Sequence, residues 1–119
     1  MLKPTLALLA GLSIYWVAPA DAEEGLDLRS QEIIQRGRAL FGEACSYCHG
    51  ENAAGGSSGA PGLRGRTDLG TQDIFETISN GRVRGSNIMP AWKESLSENE
   101  RWALTAYILS IATPPGGAR

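Results

Sequence analysis

CSYCHG, residues 45–50, holds both cysteines and the only histidine of a 119-residue chain within five positions. Thiols and an imidazole this close together serve a metal cage, a redox disulfide or a tethered cofactor. The number of ligands separates the three. A structural zinc site takes four protein ligands, usually Cys or His, and the chain has three such residues in total. A thioredoxin-like pair sits at a helix start within a βαβ unit, and the sequence has no alternating apolar runs that would supply the strands. A plain disulfide between Cys45 and Cys48 closes a trivial loop and constrains little.

C-x-x-C-H is, in contrast, the attachment signature of c-type haem. Cys45 and Cys48 would form thioethers to the two vinyl groups of one haem, and His49 would be the proximal iron ligand. The tether consumes both cysteines, so no others are needed. A histidine alone leaves open whether the iron carries oxygen, catalyses, senses a gas or passes electrons, and the sixth position decides. Apart from Met1, the one methionine is Met89, forty residues beyond His49 in SNIMPAW. It either fills a gap in a core, as most methionines do, or brings its thioether to the other face of the iron. The absence of periodicity around it and the stiffening Pro90 favour the second reading.

Upstream, residues 1–22 read as a cleaved signal peptide: Lys3 is a basic start, Thr5 to Ala18 is largely apolar, and Ala20-Asp21-Ala22 has the small-x-small pattern of a cleavage site. The run is shorter than the roughly 20 residues of a membrane span, so no transmembrane segment is expected after cleavage. No cysteine stands at the junction to carry a lipid. Residues 23–119 then form one small domain, exported to the periplasm, for which a monomer is expected. A domain of this size buries little surface unaided, and a haem would fill its core. The net charge of −2 gives no basis for nucleic-acid binding.

Three helices are legible. SQEIIQRGRALF repeats apolar residues at Ile33, Ile34, Gly37, Leu40 and Phe41, with Ser30 as N-cap and Glu32 in the first turn. TQDIFETISNG puts Ile74, Phe75 and Ile78 on one face, with Thr71 as cap and Asn80-Gly81 as stop. SENERWALTAYILSIATPP begins with a capping box from Ser97 to Glu100, carries a stripe of Leu104, Tyr107, Ile108 and Ile111, and stops at Pro114. Between the first two helices runs a long stretch dense in Gly, Ser and Ala. Glycine numbers 15 of 119, above the usual share of about 7%. So long a loop inside a small domain is expected only if it is functional, and wrapping a large cofactor is such a function. The expected class is all-α.

From Ser30 to Ile111 the chain resembles class I, single-haem bacterial cytochromes c. The likeness extends beyond CSYCH and Met89. Gly37 and Phe41 resemble the N-terminal helix contacts of that family, and Leu104 and Tyr107 its C-terminal ones. The resemblance implies that these helices cross over the covalently bound haem. Pro61, twelve residues after His49, stands where the family has a proline whose carbonyl accepts a hydrogen bond from the proximal histidine. Leu63 resembles the family's haem-packing leucine. A single mature lysine, Lys93, departs from the lysine-ringed face of mitochondrial relatives. Arg64, Arg66, Arg82 and Arg84 are either partners of the haem propionates or solvated charge, and Trp92 either flanks the haem or anchors its loop.

A haem held by His49 and Met89 has no open site, so the expected function is one-electron transfer by Fe(III)/Fe(II) cycling, without enzymatic activity. Its partners would be redox proteins: a periplasmic dehydrogenase, an oxidase or another cytochrome. A permanent subunit of such an enzyme, or an open-site haem sensor or enzyme, are the alternatives.

Overall fold

The computed structural model describes residues 2–4, 10–15 and 25–112. The expected signal segment lies largely outside them, as does the helix stop at Pro114. The elements in chain order are α1 (Gln31–Ala44), α2 (Ser46–His49), α3 (Thr71–Asn80), β1 (Arg82–Arg84), β2 (Asn87–Met89) and α4 (Glu98–Ala112).

α1 begins after Ser30, whose extended backbone is that of an N-cap although its side chain makes no capping bond. The helix runs one turn past Phe41 and passes through Cys45 into α2, with the Cys45 amide still bonded to the Phe41 carbonyl at 2.9 Å. At α3 the expected cap moves by one residue. Gly70 occupies the N-cap, no side chain caps it, and Thr71 is already helical. The capping box of α4 forms as expected. The Ser97 amide donates to Glu100 at 3.1 Å, and the Glu100 amide donates to the Ser97 hydroxyl at 3.2 Å.

α4 packs chiefly on α1 and also on α3. Gly37 makes the first contact close. A Cβ there would overlap the Ala103 carbonyl and stand 2.8 Å from Tyr107 Cβ. Phe41 and Tyr107 meet beside it with ring centroids 5.3 Å apart and planes tilted by 60°, an edge-to-face arrangement favoured by aromatic quadrupoles. Burying Phe41 and Leu104 contributes about 1.5–3 kcal/mol each. Because α4 has neighbours on two sides, its burial is wider than the expected stripe. Residues 103–108 are all buried, whereas Ile111 is half-exposed. On the α3 side Phe75 stacks on Trp102 at 3.8 Å, Arg101 lies over the Phe75 ring at 5.1 Å, and Arg101 Nη1 donates to Ser79 Oγ at 2.6 Å.

The expectation of helices alone needs one correction: β1 and β2 form an antiparallel hairpin in which Arg82 faces Met89, Val83 faces Ile88 and Arg84 faces Asn87. Strands of three residues are too short to display a period of two in the sequence. Directly opposed residues share a face and neighbours alternate. Met89, Asn87, Arg82 and Arg84 therefore share one face, and the exposed Val83 and Ile88 the other.

Candidate haem-binding site

The site starts at the junction of α1 and α2. Helical backbone continues through Cys45 and gathers residues three and four apart on one side, which is how Cys45, Cys48 and His49 come together. The His49 amide bonds to the Cys45 carbonyl at 3.0 Å. Cys45 and His49 are buried, Cys48 is half-buried, and Tyr47 between them is 94% exposed. Both cysteines are free of any disulfide. Burial, followed by the nearby Cys48, pushes the Cys45 thiol up to about 11. A thiol raised in this way is a poor redox nucleophile at neutral pH.

His49 is oriented from two directions. Its ring approaches Phe41 with centroids 6.2 Å apart, and Nδ1 lies 2.9 Å from the Pro61 carbonyl oxygen. A carbonyl can only accept, so Nδ1 donates this bond, which in the neutral ring leaves the Nε2 lone pair for a metal. The long loop makes this contact possible by folding back on α2. The Gly55 amide bonds to the His49 carbonyl at 2.8 Å, and the Leu63 amide to the Ala53 carbonyl at 2.7 Å. Ala53, fully buried with φ of 55°, is the hub of that turn. Its importance was invisible in the sequence, because alanine carries no signal for a left-handed conformation, which glycine or asparagine ordinarily takes.

Met89 ends β2, whereas the sequence placed it in an irregular loop. It is half-buried, and both it and Leu63 pack on the core cluster that contains Cys45, Phe41 and Leu104. Trp92 packs there too, and its amide donates to the Ile78 carbonyl at 2.9 Å, so it anchors the segment that follows Met89. The four arginines divide into two pairs. Arg64 Nε donates to the Asn52 carbonyl at 2.9 Å, and Arg66 Nε to Asp68 at 2.9 Å. That partner lowers the Asp68 carboxyl below its usual range. Arg82 and Arg84 are exposed and share the face of Met89.

Among the described residues no three His, Cys, Asp or Glu side chains gather as a cage for a bare metal ion. Two thiols on one helical face, a buried imidazole with a free Nε2 and a nearby apolar cluster instead fit a porphyrin whose own nitrogens supply most of the coordination.

The sequence profile of the family described as cytochrome c oxidase, cbb3-type, subunit III matches residues 32–108. The chain belongs to this family. As a cytochrome c domain it carries covalently attached c-type haem, for which CSYCH supplies the two thiols. Subunit FixP of the cbb3-type cytochrome c oxidase of Bradyrhizobium sp. (strain ORS 278) is 36% identical over 91 residues, a match covering 73% of this chain and 30% of FixP. A quinohemoprotein alcohol dehydrogenase, ADH IIB of Pseudomonas putida, is 29% identical over 79 residues, covering 66% of this chain and 11% of the enzyme. Cytochrome cL of Methylophaga aminisulfidivorans MPT superposes with a TM-score of 0.59 at 29% identity, covering 75% of this chain and 59% of that one. The family member described here thus has the small cytochrome c fold, and spans less than a third of the length of FixP. Among its described residues no helix is long and apolar enough to cross a membrane.

Proposed function

We propose that this chain is a one-electron carrier in which His49 Nε2 and the Met89 thioether would hold the iron of a haem tethered through Cys45 and Cys48. The observation that carries the reading is the buried His49 whose Nδ1 is bound at 2.9 Å to Pro61. When bound, the haem supplies a single-electron Fe(III)/Fe(II) couple. The bond to Pro61 holds the imidazole plane and strengthens Nε2 as a donor. The soft Met89 sulfur would favour the reduced state and would occupy the position a substrate needs, so this reading excludes catalysis by the chain alone. Phe41, Leu63 and Leu104 contribute apolar surface that keeps water from the ligands.

In this reading residues 1–22 direct export, residues 23–119 are the working domain in the periplasm, and the domain is monomeric between encounters. Electrons come from and go to other redox proteins: a dehydrogenase, an oxidase or another cytochrome. A second reading has the same haem in a stable subunit of such an enzyme. It is favoured by the relatives, in which the matching part is 30% of an oxidase subunit and 11% of an alcohol dehydrogenase. Purifying the native protein and measuring its size separates the two.

The test of the mechanism is spectroscopic. The oxidised protein should show the weak far-red sulfur-to-iron band, and the ferrous protein should take up carbon monoxide slowly and incompletely. Rapid, stoichiometric uptake at neutral pH would put an open-site sensor or enzyme first.

A further inference from the structure

Gly81 follows the last residue of α3, with φ of 73° and ψ of −179°. That combination is essentially restricted to glycine. A Cβ at this position would lie 2.5 Å from the Met89 carbonyl oxygen, 2.9 Å from the Ala91 amide nitrogen and 3.0 Å from the Pro90 carbonyl carbon. All three are backbone atoms, which cannot swing aside as a flexible side chain can. The chain beyond is bound to the same helix end. A helix leaves its last carbonyls without intrahelical donors. Here the Trp92 amide takes the Ile78 carbonyl at 2.9 Å and the Lys93 amide takes the Ser79 carbonyl at 3.2 Å. Ser79 is itself held from α4 by Arg101, at 2.6 Å.

We propose that Gly81 is a positioning residue for Met89: its bare Cα lets residues 89–91 lie against the end of α3, where the Ile78 and Ser79 carbonyls hold residues 92 and 93. The proposal deepens the reading of Met89 as the sixth ligand and rests on it. The Met89 backbone is fixed between its strand pairing with Arg82 on one side and the two amide bonds on the other. Its sulfur is thereby presented without a search through loop conformations. A side chain at position 81 would push that backbone outward and raise the fraction of molecules in which the sulfur is off the iron.

The experiment compares two alanine variants of the haem-loaded protein. Gly65 also has φ of 73°, but a Cβ there meets nothing within 4 Å. Gly65→Ala therefore imposes a left-handed alanine without obstructing anything. Gly81→Ala should keep the haem attached and the far-ultraviolet dichroism of the helices, while losing most of the sulfur-to-iron band at neutral pH. Its ferrous form should bind carbon monoxide about tenfold faster than wild type or more, a change equivalent to about 1.4 kcal/mol. Gly65→Ala should match wild type in both readouts. A folded Gly81→Ala protein that keeps the band and the slow uptake would overturn the proposal with the Met89 reading intact. Absence of the band from the wild type would remove the Met89 reading, and the proposal with it.

If Gly81→Ala yields no folded protein, hydrogen exchange in the wild type decides. Excess imidazole, which displaces a thioether from haem iron, should speed exchange at the Trp92 and Lys93 amides and leave the Ile74 amide unchanged. Equal rates at Trp92 and Lys93 with and without imidazole would show that the clamp and the ligand are uncoupled, and would end the proposal.

Discussion

Gly37 of α1 lies against the Ala103 carbonyl of α4 with no room between them for a methyl group. Helices approach this closely only where one of them has no side chain at the contact. Gly37→Val should force α1 and α4 apart and cost on the order of 1–3 kcal/mol, as overpacking does. Chemical denaturation would show the loss as a lower midpoint. A midpoint equal to that of wild type would mean that the crossing tolerates bulk there.

The attachment at Cys45 and Cys48 should survive denaturation. In acid-acetone the haem should stay with the precipitated protein, and haem passing into the solvent would contradict the thioether assignment. Expression without a c-haem maturation system should give largely unfolded chain, because so small a domain depends on the haem for much of its core.

Met89→Ala should leave the haem attached and open the sixth position to water or another weak ligand. If Met89 is the sixth ligand, the reduction potential should fall, since a thioether favours ferrous iron, and carbon monoxide should bind the ferrous variant readily. Voltammetry and a carbon monoxide titration read these two effects. An unchanged potential would mean that Met89 is a packing residue.

The start of α4 should be sensitive to acid. Glu100 is held below the usual carboxylate range, first by the Ser97 amide and then by the Ser97 hydroxyl. A carboxylate lowered in the folded state stabilises fully above its unfolded value, about 4.3 for glutamate. That contribution is lost as pH falls through the lower, folded value. Glu100→Gln should flatten this part of the profile of Tm against pH, and a profile with wild-type slope would assign the acid sensitivity elsewhere. Ser97→Ala removes the cap itself and should cost about 0.5–2 kcal/mol at neutral pH.

What could be read from the sequence was what local spacing encodes. Cys45, Cys48 and His49 fall on one side of a helix because they are three and four residues apart. The capping box at Ser97 and Glu100 closes within a single turn. Pro61 and Gly37 were legible through a resemblance, and their geometry agrees: the bond from His49 and the contact with Ala103 both occur.

The remainder depends on neighbours far away in the chain. The full burial of residues 103–108 arises because α4 is covered by both α1 and α3, which no single-face pattern can announce. The stacking of Phe75 on Trp102 and the bond from Arg101 to Ser79 join residues more than twenty positions apart. The hairpin that ends at Met89 is too short for strand periodicity and is defined only by its pairing. The left-handed Ala53 is set by the fold-back of the loop onto His49. By itself, then, the sequence determined the CSYCH cluster and the helices, since both follow from contacts within one or two turns. Only the tertiary structure decided how Met89 and His49 are held, because the groups that hold them, the end of α3 and the turn around Ala53, are brought to them by folding.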